Sequence, residues 1–289
     1  MQRYIVLHLR LPAMATTLLA GSALAAAGLV MQTVFGNPLA DPSLLGVNAG
    51  AGLGAAVAML LLGSSVTAGA VTLSGHLLTT VAACLGAGAV IALLLFFSAR
   101  FHDPLRLLVA GVMVSCAAAA LITVLSYFAS ADGLQNYVVW GMGHVTGLSG
   151  DALALLAAVV VIGLTLLLGC TKGLNALLLG ADYATNLGFR VRPLRTTLLT
   201  LAALLAAVVT ALCGPLSFIG LAAPHIARFL HRTADHRRLL PLSLLWGADI
   251  ALLAALGTHL PHGVTLPLNA LTPLFGIPVV LALLLRPRG

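Results

Sequence analysis

The chain has 289 residues, 61% of them hydrophobic and only 7% charged, with a formal net charge of +7 and a mean hydropathy of +1.11. Soluble domains carry about a quarter charged residues, so this composition excludes an ordinary water-soluble domain and reads as an integral membrane protein. With only 5% aromatic residues, the basic excess lacks the aromatic interleaving of a nucleic-acid surface, and no nucleic-acid partner is expected.

A membrane-crossing helix needs about 20 mostly apolar residues, and nine runs are read along the chain. Arg3 and Arg10 precede LPAMATTLLAGSALAAA, which imitates a secretory leader with an Ala-x-Ala site. The apolar stretch continues to Val34, so residues 12–34 are read as the first span. In NPLADPSLLG (37–46), Pro38 and Pro42 fix φ and disfavour helix at Asn37 and Asp41. That makes a rigid inner loop, which fits an ordinary turn as well as direct contact with solute. Runs at 47–63, 72–98 and 107–128 follow, the last with AGVMVSCAAAA (110–120), small on nearly every side. Small residues let helices approach closely. The fifth run, 151–169, leads into a loop at about 170–195 that holds LLLGADYATNLGF (177–189). There Gly180 and Gly188 bracket a short amphipathic stretch with Ala184 and Leu187 at i, i+3 on one face. Apolar residues on an exposed helix fit a partner's groove. Runs at 196–213, 215–225, 239–258 and 269–285 complete the set. The seventh is too short to cross alone, and Pro224 is read as ending it; such a segment is tolerated only where protein surrounds it.

Charge tests this order. Twelve of the fourteen Lys and Arg residues fall in alternate loops: Arg100 and Arg106; Lys172, Arg190, Arg192 and Arg195; Arg228, Arg232, Arg237 and Arg238; Arg286 and Arg288. Loops of the other parity hold none, and only Arg3 and Arg10 precede the first span. The positive-inside rule then places the rich loops and the C-terminus in the cytoplasm and the N-terminus outside. Without the short seventh run as a crossing, the parity fails. Individually, each cation also fits a solvated loop drawn to anionic cytoplasmic lipid.

Chemistry-bearing patterns are scarce. The chain has no Gly-x-x-x-x-Gly-Lys-[Ser/Thr] loop and no Glu; its nine His form no metal-binding pattern. Cys84, Cys116, Cys170 and Cys213 stand singly. No catalytic residue, cofactor or metal site is expected. Asp249 alone lies well inside an apolar run, thin support for an ion-coupled transporter; it is expected to turn toward a neighbouring helix.

Residues 9–52, LLLGADYATNLGF (177–189) and CGPLSFIGLAAPHIARFLHRTADHRRLLPLSLLWGA (213–248) resemble the permease family of type II ABC importers. These FecCD-type subunits import vitamin B12, ferric siderophores or haem. VWGMGHVTG (139–147) and LPLNALTPLFGIPVV (266–280) fit the same pattern, so the resemblance is collinear over nearly the whole chain. It implies an all-α, polytopic transmembrane bundle forming a single permease domain over 1–289, with about nine membrane segments where the family has ten. On that count the chain starts where the family's second span begins. The resemblance also implies a multi-pass protein of the bacterial inner membrane, with a second permease copy, two cytoplasmic ATPase subunits and a periplasmic or lipid-anchored binding protein as partners. Gly180, Asp182, Ala184, Leu187 and Gly188 match the family's ATPase-coupling helix, although Ala181 stands where the family usually has an acid. Met113, Ser115, Ala119 and Tyr127 fall on the helix that faces the translocation path. Arg10 matches an outer docking Arg, and His259 aligns with another. An ion-coupled secondary transporter of similar architecture is the alternative.

Overall fold

A computed structural model of the chain describes residues 2–62, 65–68, 71–100, 104–258 and 266–284. Among the described residues the chain is helical apart from connecting loops and one short hairpin. Helix α1 (Gln2–Ile5) runs through a π-helical turn at Val6–Arg10 into α2 (Leu11–Val34), so helix begins well before the 12–34 run and Arg10 lies on it, not in a loop. A 3₁₀ turn at Pro42–Leu45 leads into α3 (Val47–Ala56), which a π-turn at Val57–Leu61 extends. Strands β1 (Ser65–Ala68) and β2 (Val71–Ser74) pair antiparallel. The third apolar run therefore begins as strand, and its helix, α4, spans Gly75–Arg100. Val66, Thr67, Val71 and Thr72 are β-branched and suit a pleated pair, which the count of apolar residues alone does not reveal.

Helix α5 (Pro104–Phe128) follows, then α6 (Ala131–Gly141), a short helix inside the stretch expected as loop. Its signal is local: Ser130 Oγ accepts the Gly133 N–H at 3.2 Å, an N-cap. Ser149 caps α7 (Gly150–Gly169) in the same way. The stretch at 170–195 resolves into α8 (Thr171–Leu178), α9 (Ala181–Asn186) and the start of α10 (Val191–Cys213). The remaining helices are α11 (Ile219–His231), α12 (His236–Gly257) and α13 (Leu268–Leu284). A helix stands at each of the nine expected places. Six of them, at Arg3–Val34, Leu77–Ser98, Leu105–Phe128, Gly150–Gly169, Val191–Cys213 and His236–Gly257, are long and apolar enough to cross a membrane by length and composition. The other three are shorter.

The bundle is organised around α2, which packs against α7, α8, α10, α11 and α12 and is buried from Ala23 to Val34. Composition explains how five neighbours fit. At the α2–α11 crossing a Cβ on Gly28 would collide with the Gly220 carbonyl, so the two backbones touch directly.

Pro224 was expected to end the seventh segment, but it lies inside α11, which continues to His231. A proline in a helix lacks the N–H that would bond the carbonyl four residues back, here that of Gly220. Gln32 on α2 supplies the substitute: its Nε2 donates to the carbonyls of Gly220 and Leu221, each at 3.4 Å. Arg228 Nη1, one turn beyond the proline, donates to Gln32 Oε1 at 2.6 Å. The carbonyl freed by the proline is thus satisfied from another helix, and α11 has no reason to stop.

Candidate functional site

The knuckle formed by α8 and α9 is built by its glycines. Gly180 has φ 111° and Gly188 φ 86°, values that side chains with a Cβ rarely adopt, so both sharp bends around α9 require glycine. Between them Ala184 N–H donates to Gly180 O at 3.0 Å, and Phe189 N–H closes back on Ala184 O at 3.0 Å. Asp182 lies exposed in the first turn of α9, the end at which a helix favours an acid.

Ala184 and Leu187 do not share a face. Ala184 is fully buried, whereas Leu187 is 55% exposed. The reason is length: α9 ends at Asn186, and Leu187 sits in its C-terminal cap at ψ 3°, so the i, i+3 relation is not continued. Ala184 packs inward, where α9 meets α8 and α10. The exposed apolar surface comprises Leu178, Leu179, Tyr183 and Leu187. The two leucines and the tyrosine escaped notice because sequence periodicity cannot tell which side of so short a helix meets the bundle.

Behind the knuckle lies a polar junction that sequence reasoning missed altogether. His236, fully buried, is the first residue of α12. Asn175 of α8 donates its amide to Asp235 Oδ1 at 2.6 Å, and its Oδ1 accepts the His236 backbone N–H at 2.8 Å. His236 Nδ1 lies 2.7 Å from that same Oδ1, and Nε2 lies 2.8 Å from Thr33 Oγ1 on α2. The Arg237 N–H and the Asn175 amide hold the Asp235 carboxyl below the usual carboxylate range. The loop after α2 is anchored as well: Pro38 O is 2.7 Å from His225 Nε2, and Asp41 Oδ1 accepts the Ser43 N–H at 2.9 Å. Burial pushes the Asp41 carboxyl up, against its bonds to Ser43.

Helix α5 is the least enclosed of the six long helices, with 17% of its apolar stretch buried against 78% for α10. Its outward stripe runs through Val109, Met113, Ala120, Val124 and Tyr127, all exposed. Met113, Ala120 and Tyr127 follow at successive intervals of seven residues, which returns to one helix face. Tyr127 stacks edge-to-face on Phe128, with centroids 5.1 Å apart, at the far end of the stripe. Ala119 lies exposed on its flank. Ser115 does not join them. It is turned inward, donating to Gly111 O at 3.0 Å and lying against Gly46, because a hydroxyl on an apolar helix satisfies itself on the preceding turn.

On the opposite end of the bundle Arg10 is exposed, while His259 lies outside the described residues. Asp249 faces outward between Leu245 and Leu253 rather than toward a neighbouring helix. Among the described residues no three His, Cys, Asp or Glu gather as metal ligands.

Residues 1–286 match the description of the FecCD transport family. The chain is 38% identical over 283 residues to the vitamin B12 import system permease protein BtuC of Klebsiella pneumoniae subsp. pneumoniae, covering 98% of this chain and 82% of that one. It is 35% identical over 287 residues to the hemin transport system permease protein HmuU of Yersinia pestis, covering 99% and 84%. Among solved structures, that of a metal-chelate type ABC transporter in an inward-facing conformation matches with a TM-score of 0.89 at 29% identity, covering 98% of this chain and 88% of that one.

Proposed function

The chain belongs to the FecCD transport family, and from that premise we propose that it is the multi-pass permease subunit of an ATP-driven importer in a bacterial inner membrane. The solute class is a bulky metal chelate: an iron–siderophore, haem or a cobalamin. Its relatives carry vitamin B12 and hemin in their names, and the similar solved structure is of metal-chelate type. ATP hydrolysis belongs to two separate cytoplasmic subunits, and a periplasmic or lipid-anchored binding protein delivers solute to the outer face, where Arg10 and His259 contribute to docking.

The observation that carries this reading is the knuckle. Four large apolar or aromatic side chains, Leu178, Leu179, Tyr183 and Leu187, stand exposed on a segment that lies in the cytoplasm in this reading, as the alternation of basic loops supports. Outside the membrane such a patch marks a protein interface. Vesicles carrying the permease, the ATPase subunits and the binding protein are expected to accumulate cyanocobalamin, haemin or a ferric siderophore only when ATP is supplied. Uptake that persists without the ATPase, driven by an ion gradient, would overturn the proposal in favour of the secondary-transporter alternative.

The exposed stripe of α5 faces a second copy of the chain across the translocation path in this reading. In a background without the four native cysteines, Met113→Cys and Tyr127→Cys are each expected to cross-link between copies in at least one nucleotide state. Modification with a bulky thiol reagent should block uptake. Reaction with lipid-phase probes alone, with uptake intact, would put α5 on the periphery.

A further inference from the structure

The junction at His236 joins three elements: α8, which carries the knuckle; α2, the central helix; and α12. Its hydrogen-bond pattern fixes which ring nitrogen of His236 carries the proton. The Asn175 amide nitrogen is committed to Asp235, so Asn175 Oδ1 is an acceptor, and it receives both the backbone N–H and Nδ1–H of His236. The proton is therefore on Nδ1, and in the neutral ring Nε2 is an acceptor. Thr33 fills it with its hydroxyl proton. That hydroxyl has only one proton and a second acceptor within reach, the carbonyl of Leu29 at 2.8 Å on its own helix. Thr33 Oγ1 can thus hold α2 to His236, or release it and keep its own proton bonded on Leu29, at the cost of leaving the buried Nε2 of His236 without a donor. The carbonyl of Leu29 belongs to the helix ladder and accepts a second bond at no loss.

We infer that His236 and Thr33 are the positioning pair that transmits displacement of the ATPase-docking knuckle to α2 and the loop that follows it, with the Thr33 hydroxyl as the detachable contact. The chain of named contacts is continuous. α9 packs on α8; Asn175 on α8 fixes the His236 ring; the ring bonds Thr33; and Thr33 lies two residues before Phe35, where α2 gives way to the 35–46 loop. The adjacent residue, Gln32, ties the same turn of α2 to α11 through Gly220 and Arg228. A shift of α8 by a fraction of an ångström therefore acts on the last turn of α2 through directed bonds and not only through apolar contact, which slides more freely. The inference rests on the importer reading and on the knuckle being the ATPase dock.

The test uses the complete complex with its ATPase subunits. Leu39, 43% exposed in the loop after α2, is replaced as Leu39→Cys in a background without native cysteines. Its labelling by an impermeant thiol reagent is followed without nucleotide and with ATP trapped by vanadate. The parent is expected to change its labelling rate about fivefold or more between the two states, the lower range of measured couplings between sites. Thr33→Val, nearly equal in shape, should reduce that ratio to below about twofold while assembly and basal ATP hydrolysis stay at parental levels. Thr33→Ser, which restores a hydroxyl, should recover the ratio, whereas a purely structural role would lower assembly and hydrolysis together. A Thr33→Val complex with the parental nucleotide response, or a parent with no response at Leu39, overturns the inference. Failure of the parent to bind any ATPase subunit overturns the importer reading instead.

Discussion

A chain in which Tyr183 and Leu187 are both replaced by Glu is expected to reach the membrane and keep its unfolding temperature, yet lose ATP-driven uptake almost entirely. Both side chains are about half exposed, at 47% and 55%, so neither belongs to the buried core. Truncating an interface anchor costs more than 1 kcal/mol, and 2 or more at a hot spot. Two lost anchors, each replaced by a charge with no partner, thus weaken ATPase docking by roughly 100-fold or more. Co-purification with the ATPase subunits and uptake by vesicles read the effect separately from membrane insertion. Parental co-purification with parental uptake would show that the knuckle is not the dock. The buried Ala184 cannot serve for this experiment. A bulky charge there would lift α9 off α8 and α10 and confuse lost docking with lost structure. Gly188 is unsuitable for a related reason, since any side chain at φ 86° strains the bend itself.

The second large effect is expected at Gly28. Its missing Cβ is the condition for contact between α2 and α11, because the atom opposite is the Gly220 carbonyl, not the end of a flexible side chain. Backbone cannot rotate away as a side chain can, so Gly28→Leu should separate the two helices and cost about 3 kcal/mol or more, the upper range of overpacking. Separation would also break the bonds from Gln32 to Gly220 and Leu221, leaving buried groups unmet at about 1–3 kcal/mol each. The expected result is loss of the folded protein in detergent, read by thermal unfolding and size-exclusion. Gly88→Ala is the control: nothing lies within 4 Å of the added carbon, and its unfolding temperature should match the parent's. Equal stability of the two variants would contradict the packing described here.

Much of the fold was legible in the sequence. Length of apolar run located a helix at each of the nine places, since unpaired backbone is costly in lipid. Three things were not legible. The hairpin at 65–74 hides in apolar composition, because β-branched residues are as hydrophobic as helix formers. Pro224 reads as a terminator because a local rule cannot know that Gln32, 192 positions earlier, supplies the missing bond. The His236 junction brings together Thr33, Asn175 and His236, which lie far apart in sequence. At the candidate site, Gly180 and Gly188 were identified correctly as the limits of the short helix, while the outward face was not. A six-residue helix lacks the two full turns over which an apolar stripe declares itself. On α5 the longer helix makes the outward stripe regular, yet sequence alone could not separate Ser115 from Met113, because small residues crowd every side.

The bond from Gln32 to the proline-interrupted backbone of α11 also restricts how this molecule can change shape. One residue of axial slip between α2 and α11 is about 1.5 Å, enough to part Gln32 from both carbonyls and leave Arg228 without its amide oxygen. Neither helix can make good the loss, because Pro224 has no proton to offer. The bonds therefore tie α2 and α11 against slip along their axes, while α5, the least enclosed of the six long helices, carries no such tie to them among the described residues.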